Sequence, residues 1–313
     1  MRIIIVGPGA LGCLLAAVVQ KGCTAADSVM LLDHDHTRAE LLNRRGVLLE
    51  YDGDTRSHAV PAGFDPAGAA PADVVFVCVK SYDIDATFDF CAPLLINHPL
   101  LLFFQNGIAH LRYRRFAAGP AIFATTTEGS TSLAPGHVRH GGTGTTSLGF
   151  LDPPQQDVQQ MLEKIIATLR RGGLNARHSE AMLSRIWTKL IINAGINALT
   201  AIHDCPNGEL LHRPHVHHQM RLAVEEAATL ASHLHIEITD AVETTQAVCQ
   251  STAANISSML QDVRRRRKTE IDAINGALVK LAAENGLTLP VNSYLVQRIK
   301  EIEGRYALSE NTA

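Results

Sequence analysis

The chain has 313 residues, 46% hydrophobic and 19% charged, which is typical of a folded globular protein large enough for two domains. Its formal net charge of −3 provides no basic surface for nucleic acid or an anionic membrane, so we expect a small-molecule partner. Six scattered cysteines without a Cys-x-x-Cys pair argue against a disulfide framework and a thiolate metal site. With no uninterrupted run of about 18 apolar residues, we expect no membrane span and a cytoplasmic protein.

The first half of the chain alternates short apolar strands with helical patterns. Strands are predicted at residues 3–6, 28–32, 74–79, 100–104 and 121–125, and helices at 10–20, 37–45 and 84–95. Continuously apolar strands that alternate with helices indicate a parallel sheet covered on both faces. Residues 128–149 are rich in Gly, Ser and Thr and predict a few antiparallel strands at the sheet edge. A helix at 156–171 and a strand near Asn175 complete this domain.

The second half of the chain is predicted to be almost entirely helical. Helices are expected at residues 179–202, 216–234, 239–250, 262–285 and 293–306, with a break around Asn255. The predicted fold class is therefore α/β, with an N-terminal parallel-sheet domain at 1–177 and a C-terminal all-α domain at 178–313.

The segment GPGALG lies between the first predicted strand and the first predicted helix, where it fits the pattern G-x-G-x-x-G. Such glycines allow a tight turn, a close approach of the backbone to a pyrophosphate, and close packing of strand against helix. The candidate cofactor-binding residues are Gly7, Pro8, Gly9, Ala10, Leu11 and Gly12. This context predicts a Rossmann-type dinucleotide-binding domain; the alternative is a tight turn that binds nothing.

Asp33 ends the second predicted strand, about 20 residues beyond the glycines. An acid at this position accepts hydrogen bonds from a ribose 2′-hydroxyl and repels a 2′-phosphate, which favours NADH. His34, His36 and Arg38 lie within reach, and an exposed Asp33 without a role is the alternative.

Lys80 and Asn106 follow two further predicted strands. Ligands of open α/β sheets bind beyond the carboxyl ends of the strands, so both side chains are expected at the binding crevice. The alternative for each is an ordinary loop position in solvent.

Lys189, Asn193 and Asn197 recur at every fourth residue of a predicted helix. Steps of four advance only about 40° around a helix, so the three side chains share one narrow stripe. The rest of the helix is apolar, which indicates a buried helix and polar groups that require partners. Those partners are either a polar ligand or a structural hydrogen-bond network.

Two further polar clusters stand out near the C-terminal end of the chain. Asn255, Ser257 and Ser258 suit a helix break or cap, and Glu270 and Asp272 are predicted to follow within a helix. The basic run at 264–268 predicts a solvated charged face in preference to a phosphate site, because five consecutive helical residues point in all directions.

The segment HRPHVHH contains four histidines but lacks the ligand spacing of a zinc site. It is predicted to be a loop, and no metal is expected. The four residues are His212, His215, His217 and His218.

With these motifs in place, the sequence resembles the ketopantoate reductase (2-dehydropantoate 2-reductase) family over essentially the whole chain. The matching segments are GPGALG at 7–12, VK at 79–80, QNG at 105–107, TTT at 125–127, KLIINAGINALTAI with CPNGEL at 189–210, and NISSMLQD, TEID and ING at 255–276. Such enzymes reduce ketopantoate to (R)-pantoate with NADPH, in pantothenate and coenzyme A biosynthesis, using a Rossmann domain and a helical domain.

The resemblance implies a role for each residue that matches a family motif. Lys189 would be the proton donor, and Glu270 the second catalytic group, near the cofactor ribose and the substrate. The substrate-binding residues would be Asn193, Asn197, Asn207, Asn255 and Ser258. Besides the glycine loop and Glu270, the cofactor-binding residues would be Lys80, Asn106 and, through its backbone, Ser130. The helical domain would also supply the interface of a homodimer.

Asp33 departs from the family pattern, because members that use NADPH commonly place an arginine near the end of this strand. The hypothesis for this chain is therefore NADH use or a relaxed preference. One rival is a related NAD(P)-dependent dehydrogenase that acts on another 2-oxo or 3-hydroxy acid. The other is a nucleotide-sensing protein that binds a dinucleotide without turnover.

Overall fold

The computed structural model describes residues 1–116 and 119–310, with the backbone alone for 115, 116, 119, 120 and 307–310. The described residues form two compact units. The first consists of Met1–Gln105 and His110–Met182, and the second of Asn106–Ala109 and Leu183–Ala313. The division of roles between 1–177 and 178–313 stays a prediction.

The first unit contains the strands and six helices. The strands are β1 (Arg2–Val6), β2 (Ser28–Leu32), β3 (Val47–Tyr51), β4 (Asp54–His58), β5 (Ala62–Gly63), β6 (Val74–Val77), β7 (Leu100–Phe103), β8 (Arg115–Phe116), β9 (Gly119–Pro120), β10 (Ile122–Thr126), β11 (Gly129–Ala134), β12 (His137–Gly142), β13 (Thr146–Gly149) and β14 (Ala176–His178). The helices are α1 (Ala10–Gly22), α2 (His36–Arg45), α3 (Pro66–Ala69), α4 (Ile84–Phe90), α5 (Ala92–Leu95) and α6 (Gln156–Arg171).

An eight-stranded sheet forms the centre of the first unit, in the order β14-β13-β10-β7-β6-β1-β2-β5. The five strands from β10 to β2 are parallel, and β13 runs antiparallel to β10. Apolar side chains are buried on both faces: Ile3, Ile4 and Ile5 of β1 are all 0% exposed. The predicted α/β class with a parallel sheet is confirmed.

A second sheet has the order β11-β12-β3-β4, and it corrects the prediction for residues 128–149. Of these strands only β13 joins the main sheet, between β10 and β14, whereas β11 pairs with β12 and β12 pairs with a β3–β4 hairpin that was not predicted. The hairpin was missed because β4 is polar and largely exposed, so it carries little hydrophobic periodicity.

The single helix predicted at residues 84–95 is wrong, since α4 and α5 are separate. The break falls at Cys91, and Pro93 lies in the first turn of α5. Proline has no backbone N–H to donate to the preceding turn, so it is tolerated at the start of a helix and not in its interior.

The second unit is helical and packs around its own apolar core. Its helices are α7 (Met182–His203), α8 (Glu209–His212), α9 (Pro214–His233), α10 (Ala241–Ser251), α11 (Ser258–Arg264), α12 (Asn275–Glu284) and α13 (Pro290–Glu310). The predicted C-terminal helical domain is confirmed. None of the helices within the described ranges combines the length and hydropathy needed to traverse a lipid bilayer.

The continuous helix predicted at 262–285 is also wrong, and with it the placement of Glu270 and Asp272 in a helix. Helix α11 ends at Arg264, Arg266 has a φ of 51°, and α12 begins only at Asn275. In the intervening segment, the backbone N–H and the hydroxyl of Thr269 both donate to Glu303, each at 2.7 Å. Hydrogen bonds to a distant carboxylate thus replace those of the helix.

The histidine segment is helical rather than a loop. His212 ends α8, and Pro214 starts α9, so His215, His217 and His218 lie at the beginning of that helix. Proline at the first helical position has a suitable φ and no N–H to leave unsatisfied, which explains why this proline starts a helix.

Candidate active site

The turn between β1 and α1 requires glycine at two positions. Gly7 has a φ of +93°, and a Cβ on it would lie 2.7 Å from Val79 Cγ1. A Cβ on Gly12 would lie 2.1 Å from the carbonyl oxygen of Gly7. The strand and the helix therefore approach more closely than any side chain would permit.

Gly9 differs from the other two glycines, because a Cβ on it would meet nothing within 4 Å. The open space adjoins the N-terminus of α1, whose N-cap is Gly9 and whose first turn contains no acidic residue. Backbone N–H groups and the helix dipole favour an anion at such a terminus. The turn fits the pyrophosphate of a dinucleotide in space and in charge.

Asp33 follows β2 and is only 1% exposed, which excludes the alternative of a solvated aspartate. Arg38 Nη2 donates to Asp33 Oδ1 at 2.6 Å, and Arg38 Nε donates to Oδ2. The Arg38 side chain remains 31% exposed, and hydrogen bonding to Asp33 raises its pKa. The carboxylate is therefore already paired, and the guanidinium is the more accessible member of the pair.

At the carboxyl end of β6, Lys80 precedes a short 3₁₀ helix at Ser81–Asp83 and is partly exposed. Gln105, at the end of β7, is buried and donates to the carbonyl groups of Val77 at 2.8 Å and Val79 at 3.0 Å. Gln105 was not predicted as a functional residue. Its amide joins the ends of two neighbouring strands and so fixes the chain immediately before Lys80.

Asn106 and Glu270 meet within the second unit, although the chain separates them by 164 positions. The Asn106 amide donates to Glu270 Oε2 at 3.0 Å, and Glu270 is 6% exposed. Gly107 has a φ of +80°, and a Cβ on it would lie 2.0 Å from the carbonyl oxygen of Ala273. The glycine of the QNG motif thus allows Asn106 to approach the segment that contains Glu270.

Lys189 lies on α7 and is mostly withdrawn from solvent. Burial lowers its pKa to about 8, and the negative charge of Glu270 partly opposes this shift. Burial disfavours the charged form of an amine, whereas a nearby carboxylate favours it. The result is an amine with a pKa of about 8, a value that suits a proton donor in catalysis.

Asn193 and Asn197 share the α7 stripe with Lys189, as the spacing predicted. Asn197 is 5% exposed and Asn193 is partly buried. In the described part of the chain, no hydrogen bond joins either side-chain amide to another protein group. The structural-network explanation of the stripe therefore lacks partners for these two amides, which favours a ligand.

Asn207 is held close to Asn255 but keeps one unused acceptor. Its backbone N–H donates to the carbonyl group of Asn255 at 3.0 Å, and its side-chain amide donates to Thr252 Oγ1 at 2.9 Å. Its buried Oδ1 accepts no hydrogen bond from the described residues. The Asn255 side chain is exposed.

Ser257 and Ser258 have different environments. Ser257 is buried, caps α11 by accepting from the Leu260 N–H at 3.1 Å, and lies 2.7 Å from the hydroxyl of Thr200. Ser258 is exposed and remains available to a ligand. The predicted cap is confirmed for Ser257.

Among the described residues, neither the basic run at 264–268 nor the histidine segment forms a defined ligand site. Arg264 pairs with Asp204 at 2.7 Å on the surface, as expected of a solvated charged face. Within residues 1–116 and 119–310, no group of three or more His, Cys, Asp or Glu side chains is arranged to hold a metal ion.

The glycine turn of the first unit and the Asn106–Glu270–Lys189 group of the second are the features expected of a nicotinamide-dinucleotide-dependent oxidoreductase, the class to which the comparisons assign the chain. Residues 3–153 match the family described as ketopantoate reductase PanE/ApbA, and residues 181–303 match its C-terminal domain. The chain belongs to the ketopantoate reductase PanE/ApbA family, which confirms the resemblance.

Known relatives match over nearly their whole length. The 2-dehydropantoate 2-reductase of Halobacterium salinarum is 31% identical over 96% of this chain and 98% of its own. That of Escherichia coli O157:H7 is 31% identical over 98% of this chain and 96% of its own.

Solved structures show the same fold. A PanE/ApbA family ketopantoate reductase from Ralstonia eutropha JMP134 matches with a TM-score of 0.87 and 26% identity, over 98% of this chain and 100% of its own. D-mandelate dehydrogenase, solved with NADH and anilino(oxo)acetate, matches with a TM-score of 0.88 and 23% identity, over 98% of this chain and 99% of its own.

Proposed function

We propose that the protein is a 2-dehydropantoate 2-reductase, which reduces ketopantoate to (R)-pantoate with NAD(P)H. The observation that carries this proposal is the environment of Lys189. Its amine lies on a polar stripe of a buried helix, has a pKa of about 8, and is influenced by a Glu270 carboxylate that Asn106 binds. A 2-oxo acid offers this group a ketone oxygen that needs a proton on reduction.

In the proposed mechanism, the Lys189 ammonium donates a hydrogen bond to the ketone oxygen and then a proton to the alkoxide that develops. The Gly7–Gly12 turn, Lys80 and Asn106 would hold the reduced dinucleotide, which when bound would supply the hydride. A positioned general acid contributes about 10²–10⁴ in rate, and a donor directed at a developing oxyanion contributes about 10²–10³. The Glu270 charge keeps a useful fraction of Lys189 protonated against the effect of burial.

The remaining substrate contacts are assigned to five polar side chains with capacity to bind. The amides of Asn193 and Asn197 and the unused Oδ1 of Asn207 suit the carboxylate and hydroxyl of the substrate. Asn255 and Ser258, which are exposed, complete the proposed set. A site built from such groups rejects analogues that leave them unpaired.

The dinucleotide is assigned to the Gly7–Gly12 turn, Lys80, Asn106, Glu270 and the backbone of Ser130. The paired Asp33 and Arg38 support a relaxed cofactor preference. The buried carboxylate is neutralised by Arg38, so its repulsion of a 2′-phosphate is weakened, while the exposed part of the guanidinium can attract one. This modifies the expectation of NADH from Asp33 alone.

A second candidate function is the reduction of a different 2-oxo acid. It is favoured by the structural likeness to D-mandelate dehydrogenase. Oxidation of NADH and of NADPH would be followed by absorbance with ketopantoate, phenylglyoxylate and pyruvate as separate substrates. The proposal requires the highest kcat/KM with ketopantoate, and a preference for phenylglyoxylate would establish the second candidate instead. Dinucleotide binding without any turnover would support a sensor.

The proposal includes a cytoplasmic homodimer, with residues 1–177 binding the dinucleotide and residues 178–313 binding the substrate and forming the dimer interface. It is supported by the family resemblance and by the free cysteines, which suit a reducing compartment. Light scattering of the purified protein measures the assembly: a monomeric mass would remove the dimer from the proposal.

A further inference from the structure

A buried hydrogen-bonded pair links the segment after β10 to β12 in the first unit. His140 Nε2 lies 2.6 Å from Glu128 Oε2, and the two side chains are 9% and 3% exposed. The second carboxylate oxygen of Glu128 accepts from the backbone N–H of Gly144 at 3.0 Å. None of these residues belongs to the motifs that the sequence pointed to as functional.

Neighbouring groups also fix the orientation of the pair. The backbone N–H of Glu128 donates to Thr126 Oγ1 at 3.1 Å, and the Tyr51 ring packs edge-on against His140, with 5.0 Å between ring centroids. A buried polar pair contributes little net stability relative to apolar residues of the same shape, because the cost of desolvation largely offsets the hydrogen bond. Its value here is geometric: it holds two loops in one arrangement.

The backbone held by the pair is irregular at Ser130. Gly129 pairs with Gly142, but the next residue, Ser130, pairs with His140, so Gly141 is an extra residue on β12. A Cβ on Gly129 would lie 3.2 Å from the carbonyl carbon of Gly141. Bulges of this kind redirect the chain and are common next to active sites.

This bulge lies beyond the carboxyl end of β10, a strand parallel to β1 and β6. The same edge of the sheet carries the Gly7–Gly12 turn after β1 and Lys80 after β6. In the sheet order, β10 lies on the opposite side of β1 from β2, the strand that Asp33 follows. If Asp33 marks the adenosine ribose, Ser130 lies towards the nicotinamide half of the same dinucleotide.

We propose that Glu128 and His140 are positioning residues that hold the backbone at Ser130 in the geometry needed to bind the nicotinamide half of the cofactor. This inference rests on the proposed function, which assigns the Ser130 backbone to the cofactor. The pair acts through the bulge and does not itself touch the substrate or the cofactor.

The test compares two probes that differ in the nicotinamide. One is NADH or NADPH, whichever the wild type binds more tightly, and the other is ADP-ribose or its 2′-phosphate. Glu128→Ala and His140→Ala are expected to weaken the reduced dinucleotide about tenfold or more, because small displacements of a positioning group are costly. Binding of the ADP-ribose fragment, measured by titration calorimetry, is expected to stay within about twofold.

Two further variants test whether the pair itself is responsible. Glu128→Gln keeps an oxygen for the Gly144 N–H and is expected to recover much of the affinity for the dinucleotide. The double variant Glu128→Ala/His140→Ala is expected to lose no more than either single variant, since coupled residues are not additive. The control is Arg139→Ala, at the residue that precedes His140 on β12. This substitution removes the 2.6 Å hydrogen bond from Arg139 to Glu50.

Equal weakening of both probes in the folded variants would show a merely structural role and overturn the inference, as would unchanged binding of both. Circular dichroism tests whether each variant is folded. If Glu128→Ala does not fold, the comparison is made with His140→Ala and Glu128→Gln. A wild type that binds the fragment but neither reduced dinucleotide would reject the proposed function, and this inference with it.

Discussion

The side-chain amide of Asn106 donates a 3.0 Å hydrogen bond to the carboxylate of Glu270, a residue 164 positions away. Because the amide binds one oxygen of the carboxylate, it fixes the charge that acts on Lys189. The QNG and TEID motifs therefore form one polar group with Lys189 of the α7 stripe, and the proposed function assigns catalysis to this group.

Lys189→Ala is expected to lower kcat for ketopantoate reduction by at least about 10², because the lost hydrogen bond and proton belong to the transition state. Binding of the reduced dinucleotide, followed by nicotinamide fluorescence, is expected to change little. Lys280→Ala, an exposed lysine on α12, is the matched control. A Lys189→Ala enzyme within a few-fold of wild type would remove Lys189 from the proton-donor role.

The rate of reduction is expected to fall as pH rises through about 8, because Lys189 then loses the proton it must donate. Glu270→Gln removes the attraction that supports the ammonium, so the midpoint of this fall is expected at a lower pH. The measurement is kcat across pH 6–10 for both enzymes, at saturating cofactor. An unchanged midpoint in Glu270→Gln would contradict the assigned coupling.

The same pKa predicts the opposite trend for stability. Lys189 titrates near 8 in the folded chain and at an ordinary value of 10.5 when unfolded, so the unfolded chain binds more protons between these values. Its contribution to the free energy of unfolding is therefore expected to rise between pH 8 and 10.5. Denaturant titrations of wild type and Lys189→Met isolate this effect; identical pH dependence in the two proteins would exclude it.

Gly9→Ala and Gly12→Ala are expected to fail in different ways. The new methyl group at Gly9 meets open space, so the melting temperature is expected to change little, while dinucleotide affinity falls about tenfold or more through displaced phosphate contacts. At Gly12 the methyl group would meet the Gly7 carbonyl at 2.1 Å, so we expect loss of stability. Thermal denaturation and calorimetry separate the two, and normal affinity in Gly9→Ala would argue against a pyrophosphate there.

Arg38→Ala is expected to reduce kcat/KM for NADPH about tenfold or more relative to NADH, because it removes a cation and exposes the Asp33 charge to the 2′-phosphate. Arg44→Ala, at an exposed position on the same helix, is the control. An equal loss with both cofactors would show that the pair stabilises β2 and does not select the cofactor.

Local periodicity predicted the elements whose apolar positions repeat regularly. Helix α6 begins at Gln156 and ends at Arg171, as predicted, because its apolar residues recur at helical spacing. The polar stripe of α7 was predicted for the same reason, since only its spacing within one helix was needed. The glycine pattern sufficed for the β1–α1 turn, where close packing leaves no room for side chains.

The features that the sequence did not predict depend on contacts between separate elements of the fold. Thr269 bonds to Glu303 instead of continuing a helix, and Asp33 is covered by Arg38, which the local pattern cannot specify. Buried Glu128 follows the TTT motif, but its partner His140 lies across the β11–β12 pairing, whose register the sequence did not specify. Such contacts are set by tertiary structure and leave no periodic pattern in the sequence.

The chain leaves the first unit for Asn106–Ala109 and returns to it before its final departure at Leu183. A fragment ending at residue 182 would therefore contain Gly107 and Asn106 but lose Ala273 and Glu270, against which they fit. The two halves of this protein are not interchangeable parts. A chimaera that joins residues 1–182 to a different helical unit would carry Asn106–Ala109 with it. These four residues would then have to fit the new helical unit.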